Sequence, residues 1–116
     1  MLTIAAAVLA LAAPAQPPDV CRTRECGRRV HMRRVVRPYR HWLHRTATCE
    51  SSLGTGRPKW HINTGNGFYG GLQFTRKSWA AMGGRGLPHE APALEQKYRG
   101  VKLLHAQGRG AWPVCG

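Results

Sequence analysis

Acidic side chains are scarce. The 116 residues carry five Asp or Glu against 18 Lys or Arg, a formal net charge of +13. After Glu50 only Glu90 and Glu95 follow, and the glycine-rich stretch 63–74 has no carboxylate. Chemistry needing two opposed carboxylates therefore has few residues to draw on. Long apolar runs are lacking too. Residues 2–13 form an apolar run too short to span a bilayer comfortably. Ala13-Pro14-Ala15 fits an A-x-A cleavage site, although the basic residues that normally precede such a run are missing. We read residues 1–15 as a secretory signal peptide, with retention as an uncleaved anchor the alternative. Between 16 and 37 apolar residues are too few for an independent core. Pro17-Pro18 starts a linker, and Arg22, Arg24, Arg28, Arg29, Arg33, Arg34 and Arg37 are opposed only by Asp19 and Glu25. Val30, Met32, Val35 and Val36 are enough for a helix turn packed on the main domain. Such an arm fits attraction to an anionic polymer or membrane surface. Nucleic-acid binding and plain solubility are the competing readings.

What is present begins with a helical pattern. Tyr39, Trp42, Leu43, Thr46, Ala47 and Glu50 recur at i, i+3, i+4, i+7, i+8 and i+11, one face of an α-helix. Pro38 suits the first helical position. Glu50 thus falls at the C-terminal end of the apolar face. Lost hydration and the negative end of the helix dipole both disfavour its ionised form. A carboxyl still protonated near neutral pH is what a general acid requires, although a glutamate that merely caps a helix end fits the same pattern.

Next, residues 60–63 and 68–74 flank Thr64-Gly65-Asn66-Gly67, and Asn-Gly between such runs predicts a β-hairpin. Gly70-Gly71 permits close approach of another chain segment. Asn63 and Gln73 offer amides, and Tyr69 offers a ring with a hydroxyl. That mixture suits a sugar, which presents hydroxyls at its edge and C–H groups on its face. Further on, Thr75 is expected to cap a short helix from Arg76 to Met82 that stops at Gly83-Gly84, with Trp79 in the core. Residues 85–91 read as a loop. Pro92 starts a last helix through Leu94, Tyr98, Val101 and Leu104 or His105, weakened by Gly100. Trp112 either lines a cleft or plugs the core. Four cysteines allow three pairings. A zinc site from Cys21, Cys26, His41 and His44 is a remote alternative.

Cys49-Glu50-Ser51, Ile62 to Phe74, Ser78-Trp79, Gly83-Gly84 and Gly110 to Gly116, in that order, resemble the catalytic domain of actinobacterial resuscitation-promoting factors. These are transglycosylase-like domains of the lysozyme superfamily that act on peptidoglycan. The resemblance covers about Tyr39 to Gly116. It implies an α+β, lysozyme-like domain at 38–116, mostly helical, with the short hairpin bordering the cleft. It also implies that Glu50 is the catalytic acid and that Cys49 pairs with Cys115. We take Cys21 and Cys26 as the second pair, closing a small loop, or else as reactive thiols. Substrate-binding candidates are Asn63, Thr64, Tyr69, Gln73, Thr75 and Trp112. Two departures stand out: a longer loop at 53–59, and Arg109 where the family commonly has Trp.

Most glycosidases use two carboxylates. If Glu90 and Glu95 do not reach the cleft, the substrate's own 6-hydroxyl is the natural nucleophile. The expectation is cleavage of the bond between N-acetylmuramic acid and N-acetylglucosamine, without metal or cofactor, giving 1,6-anhydro ends. A hydrolytic muramidase and a non-catalytic wall-binding module are the alternatives. The expected partners are peptidoglycan glycan strands, with anionic cell-wall polymers reached by the Arg-rich segment. The expected protein is a secreted or wall-associated monomer.

Overall fold

The computed structural model describes residues 1–8, 10, 11 and 20–116. The expected cleavage site at 13–15, Pro17-Pro18 and Asp19 lie outside them. Among the described residues no helix is long and apolar enough to cross a membrane. Among the described residues four α-helices set the architecture: α1 (Arg24–Val36), α2 (Arg40–Ser51), α3 (Arg76–Ala81) and α4 (Ala93–Gln107). Short 3-10 turns at Arg37–Tyr39, Pro88–Glu90 and Arg109–Ala111 join or follow them.

The core forms where these elements meet. Leu43 and Ala47 of α2, Leu72 and Phe74, Trp79 of α3, Val101 and Leu103 of α4, and Trp112 are all buried in one cluster. The face of α2 read from the sequence is the face that packs: Trp42, Leu43, Thr46 and Ala47 are buried. Thr75 caps α3 as its position predicts, accepting from the Ser78 N–H at 3.1 Å. Trp79 is fully buried and donates its indole N–H to the Arg85 carbonyl. Pro92 is the N-cap residue of α4. Gly100 is tolerated in α4 because a side chain there would overlap the Leu72 Cδ1 methyl.

The Arg-rich segment is more ordered than a linker. Thr23 caps α1 by accepting from the Cys26 N–H at 3.1 Å, and α1 packs along α4. Met32 and Val36 of α1 are buried, and His31 meets the Tyr98 ring of α4 edge-on. Cys21 is bonded to Cys26, tying the incoming chain to the first turn of α1. That bond takes both sulfurs out of the zinc and reactive-thiol alternatives. The second disulfide joins Cys49 to Cys115.

The β-hairpin expected at 60–74 does not form, so in place of the expected α+β domain the regular elements are helices, with no strand among the described residues. Pairing is limited to isolated antiparallel bridges, Asn63 with Tyr69 and Tyr69 with Phe74. A ladder needs successive extended residues. Here Gly65, Gly67 and Gly70 have positive φ, and so does Gln73 at 54°, so the chain turns before a second rung can form. What replaces the ladder is side-chain anchoring. Gln96 of α4, fully buried, donates its Nε2 to the carbonyls of Trp60 (2.7 Å) and Ala91 (2.9 Å). Its Oε1 accepts from the Gly71 N–H at 3.0 Å. A side chain at Gly71 would run into the Trp60 ring. The close approach read from Gly70-Gly71 is therefore made by Trp60 and Gln96 of the same chain.

Candidate active site

Glu50 lies one residue before the end of α2. Its neighbour Cys49 is bonded to Cys115, so the last turn of α2 and the C-terminal segment are covalently joined. Between that segment and the glycine-rich turns runs an open groove of about 320 Å³. Glu50, Asn66, Phe68, Gln73, Trp112 and Val114 are among the residues that line it. A narrower pocket of about 150 Å³ adjoins it, with Phe68, Gln73, Ala111 and Trp112 as common wall and Thr75, Ser78 and Gln107 beyond.

The Glu50 side chain is half-buried, and burial raises its pKa above the ordinary glutamate value. Among the described residues no side chain donates a hydrogen bond or an ion pair to it. Burial is therefore the cause of the shift, and no neighbouring side chain holds the carboxyl. The remaining described carboxylates are elsewhere. Glu95 pairs with Arg28 (3.1 Å) and Arg99 (3.7 Å). Glu25 pairs with Arg28 on α1. Glu90 is exposed in the 3-10 turn Pro88–Glu90 and lines neither pocket.

The candidate ligand-binding residues divide. Gln73 lines both pockets; its Nε2 donates to the Gly70 carbonyl at 2.9 Å, which fixes the amide and leaves Oε1 as an acceptor. Thr75 lines the narrower pocket with its hydroxyl committed to Ser78. Trp112 does both things the sequence allows: it lines the groove, packs edge-on against Trp42, and donates its indole N–H to the Leu72 carbonyl. Asn63, Thr64 and Tyr69 do not line either pocket. Asn63 Oδ1 accepts from the Gly65 N–H, and the Thr64 hydroxyl donates to Asn66 Oδ1. Tyr69 is buried, stacked on His89, and its hydroxyl accepts from Arg76 Nε. These three shape the turn that presents Asn66 and Phe68.

Asn66 and Phe68 are the residues the sequence reading passed over. Phe68 is 44% exposed although apolar, and Val114 across the groove is 91% exposed. An exposed aromatic just after an Asn-Gly turn was the available signal. The two departures leave the groove lining alone. Residues 53–59 fold back on themselves, held where the Lys59 N–H donates to Ser51 Oγ at 2.9 Å, and line neither pocket. Arg109 is exposed and also lines neither.

Residues 38–115 match the transglycosylase-like domain family. The chain belongs to that family. Its transglycosylase-like domain is 58% identical over 71 residues to resuscitation-promoting factor Rpf of Micrococcus luteus, covering 61% of this chain and 30% of the relative. It is 48% identical over 73 residues to RpfA of Mycobacterium tuberculosis, covering 60% and 17%. With RpfE of the same species the identity is 49% over 70 residues, covering 60% and 38%. The chain thus aligns with well under half the length of these relatives, and the resemblance to resuscitation-promoting factors holds over the domain that bears the groove.

Proposed function

We propose that this chain is a secreted or wall-associated peptidoglycan-cleaving enzyme, with Glu50 as its single acid and base. The observation that carries the reading is a half-buried carboxyl of raised pKa in an open groove, with no other described carboxylate beside it. The substrate bond is the β-1,4 link from N-acetylmuramic acid to N-acetylglucosamine. Glu50 gives its proton to the glycosidic oxygen as the bond from that oxygen to the muramyl anomeric carbon breaks. The cation-like sugar lies against Phe68 and Trp112, with Gln73 Oε1 as an acceptor for its hydroxyl or amide hydrogens. The muramyl 6-hydroxyl oxygen then closes on the anomeric carbon, and the Glu50 carboxylate takes the hydroxyl proton. The products are a 1,6-anhydro-muramyl end and a free 4-hydroxyl, and Glu50 is again protonated. Water, metal and a second carboxylate have no role in this sequence.

The test is digestion of purified peptidoglycan by the oxidised protein and by Glu50→Gln, with mass spectra of the soluble muropeptides. Anhydro products from the parent that vanish in the variant are expected. Reducing ends would replace this chemistry with hydrolysis. Retained activity in the variant would remove Glu50 from the mechanism. Binding without any soluble product would make the chain a wall-binding module.

A further inference from the structure

The geometry points to a second binding site, for a phosphate group of an anionic polymer, at the end of α2 away from Glu50. A cavity of about 80 Å³ lies among the first turns of α2, the end of the 53–59 loop and α4. Its floor is apolar: Val36 and Leu43 are buried. Its rim carries two cations. Arg40 stands on α2 one helical turn before His44, and Lys97 lines the cavity from α4. Trp60 forms one wall, with the Lys97 ammonium 5.1 Å from its ring centroid, and Pro58 closes the loop side.

No carboxylate lines this cavity. The nearest acidic residue of α4 in sequence, Glu95, is committed to Arg28 and Arg99. Arg40 and Lys97 thus line one cavity, and neither has an acidic partner among the described residues. Like charges on one small cavity attract an anion. The cavity is small, about 80 Å³ against about 320 Å³ for the groove beside Glu50, and suits a group the size of a tetrahedral oxyanion. A guanidinium and an ammonium facing one such anion provide charge-assisted hydrogen bonds.

The surroundings favour a polymer over a free ion. Arg33 at the end of α1 and Arg37 in the 3-10 turn precede Arg40, the first residue of α2, and all three are exposed, a row of cations along the chain. A chain of repeating phosphates meets this row outside the pocket, while its carbon links lie against Trp60. Val36 comes from outside the family match at 38–115, and Pro58 from the longer loop. The site is thus assembled partly from what this chain adds to the domain. It is independent of the chemistry assigned to Glu50.

The experiment uses the oxidised full chain and three probes: inorganic phosphate, a poly(glycerol phosphate) oligomer, and phosphatidylglycerol vesicles. Affinity is read by calorimetry, and occupancy by the Trp60 indole N–H resonance. Arg40→Gln/Lys97→Gln removes the rim, and Lys97→Gln alone is the milder variant. Arg85→Gln/Arg109→Gln removes the same charge elsewhere. Expected is oligomer binding that moves the Trp60 resonance. It weakens about tenfold or more in the rim variant, the loss of charge-assisted hydrogen bonds, and changes little in the control. Phosphate should move the same resonance more weakly. Equal weakening in the control would reduce the site to diffuse charge. Binding to vesicles alone, or no movement of Trp60, would also overturn it. Should the double variant unfold, Lys97→Gln separates the same outcomes.

Discussion

At its C-terminal end α2 presents one carboxyl to a groove walled by Gln73, Trp112 and the exposed Phe68 and Val114. At its N-terminal end it presents Arg40 and His44 to a cavity a quarter of that size, 80 against 320 Å³. The same helix thus serves two electrostatic settings. At the groove end charge is sparse, so desolvation alone shifts Glu50. At the other end cations are crowded and answered by no carboxylate in the lining. In a chain of +13, no Lys or Arg lines the groove that holds Glu50. An arginine beside Glu50 would favour the carboxylate and lower its pKa.

The sharpest break in this comparison is Glu50→Gln, which should lower muropeptide release by about 100-fold or more, the usual worth of a general acid. Arg40→Gln should leave cleavage of peptidoglycan stripped of its anionic polymers within about twofold, since a surface charge far from the reacting atoms is screened. Equal loss in the two would merge the ends into one site. Next come the disulfides. Replacing Cys49 and Cys115 by Ser should cost about 4 kcal/mol, because the bridge closes a long loop, whereas replacing Cys21 and Cys26 should cost at most about 2 kcal/mol. Chemical denaturation of the two variants checks the ranking, and activity should follow the first pair only.

Gln96→Leu should cost about 3 kcal/mol, since it strands the Gly71 N–H and the Trp60 and Ala91 carbonyls in a buried setting. Denaturant midpoints measure it. The smallest effect is on stability against pH. Burial raises the Glu50 pKa, so the folded state binds this proton more tightly than the unfolded state. The resulting destabilisation is absent below the unfolded pKa, grows as pH rises, and is complete above the folded pKa. Glu50→Gln should therefore be slightly more stable than the parent at about pH 7, with the advantage gone at about pH 3, below the unfolded glutamate value. Thermal midpoints at both pH values test the sign.

Much of this was readable from local signals. The face of α2, the Thr75 cap, the Pro92 start and the burial of Trp79 follow from periodicity and from residues whose chemistry is local. The hairpin expectation failed for a local reason as well: Asn-Gly signals a reversal of direction, but Gly70 and Gln73 bend the returning chain before it can pair. The rest was not local. Val114 lines the groove on a C-terminal segment that a disulfide joins to α2, a contact between residues 66 apart in sequence. Tyr69 reads as a ligand platform by composition, yet its ring is taken by His89 and its hydroxyl by Arg76. The Arg-rich stretch reads as a linker with at most one packed turn because the surface that its few apolar residues meet comes from segments distant in sequence.

Gln96 has a further meaning when seen through motion. Its one carboxamide holds three backbone points that are far apart in sequence and belong to irregular segments. Such segments ordinarily open on their own, at low free energy. Here the turn before Gln73 can loosen only together with α4. The Gly71 amide should therefore exchange with solvent on the timescale of the helix, not of a loop. An irregular groove wall is in this way given the persistence of regular structure.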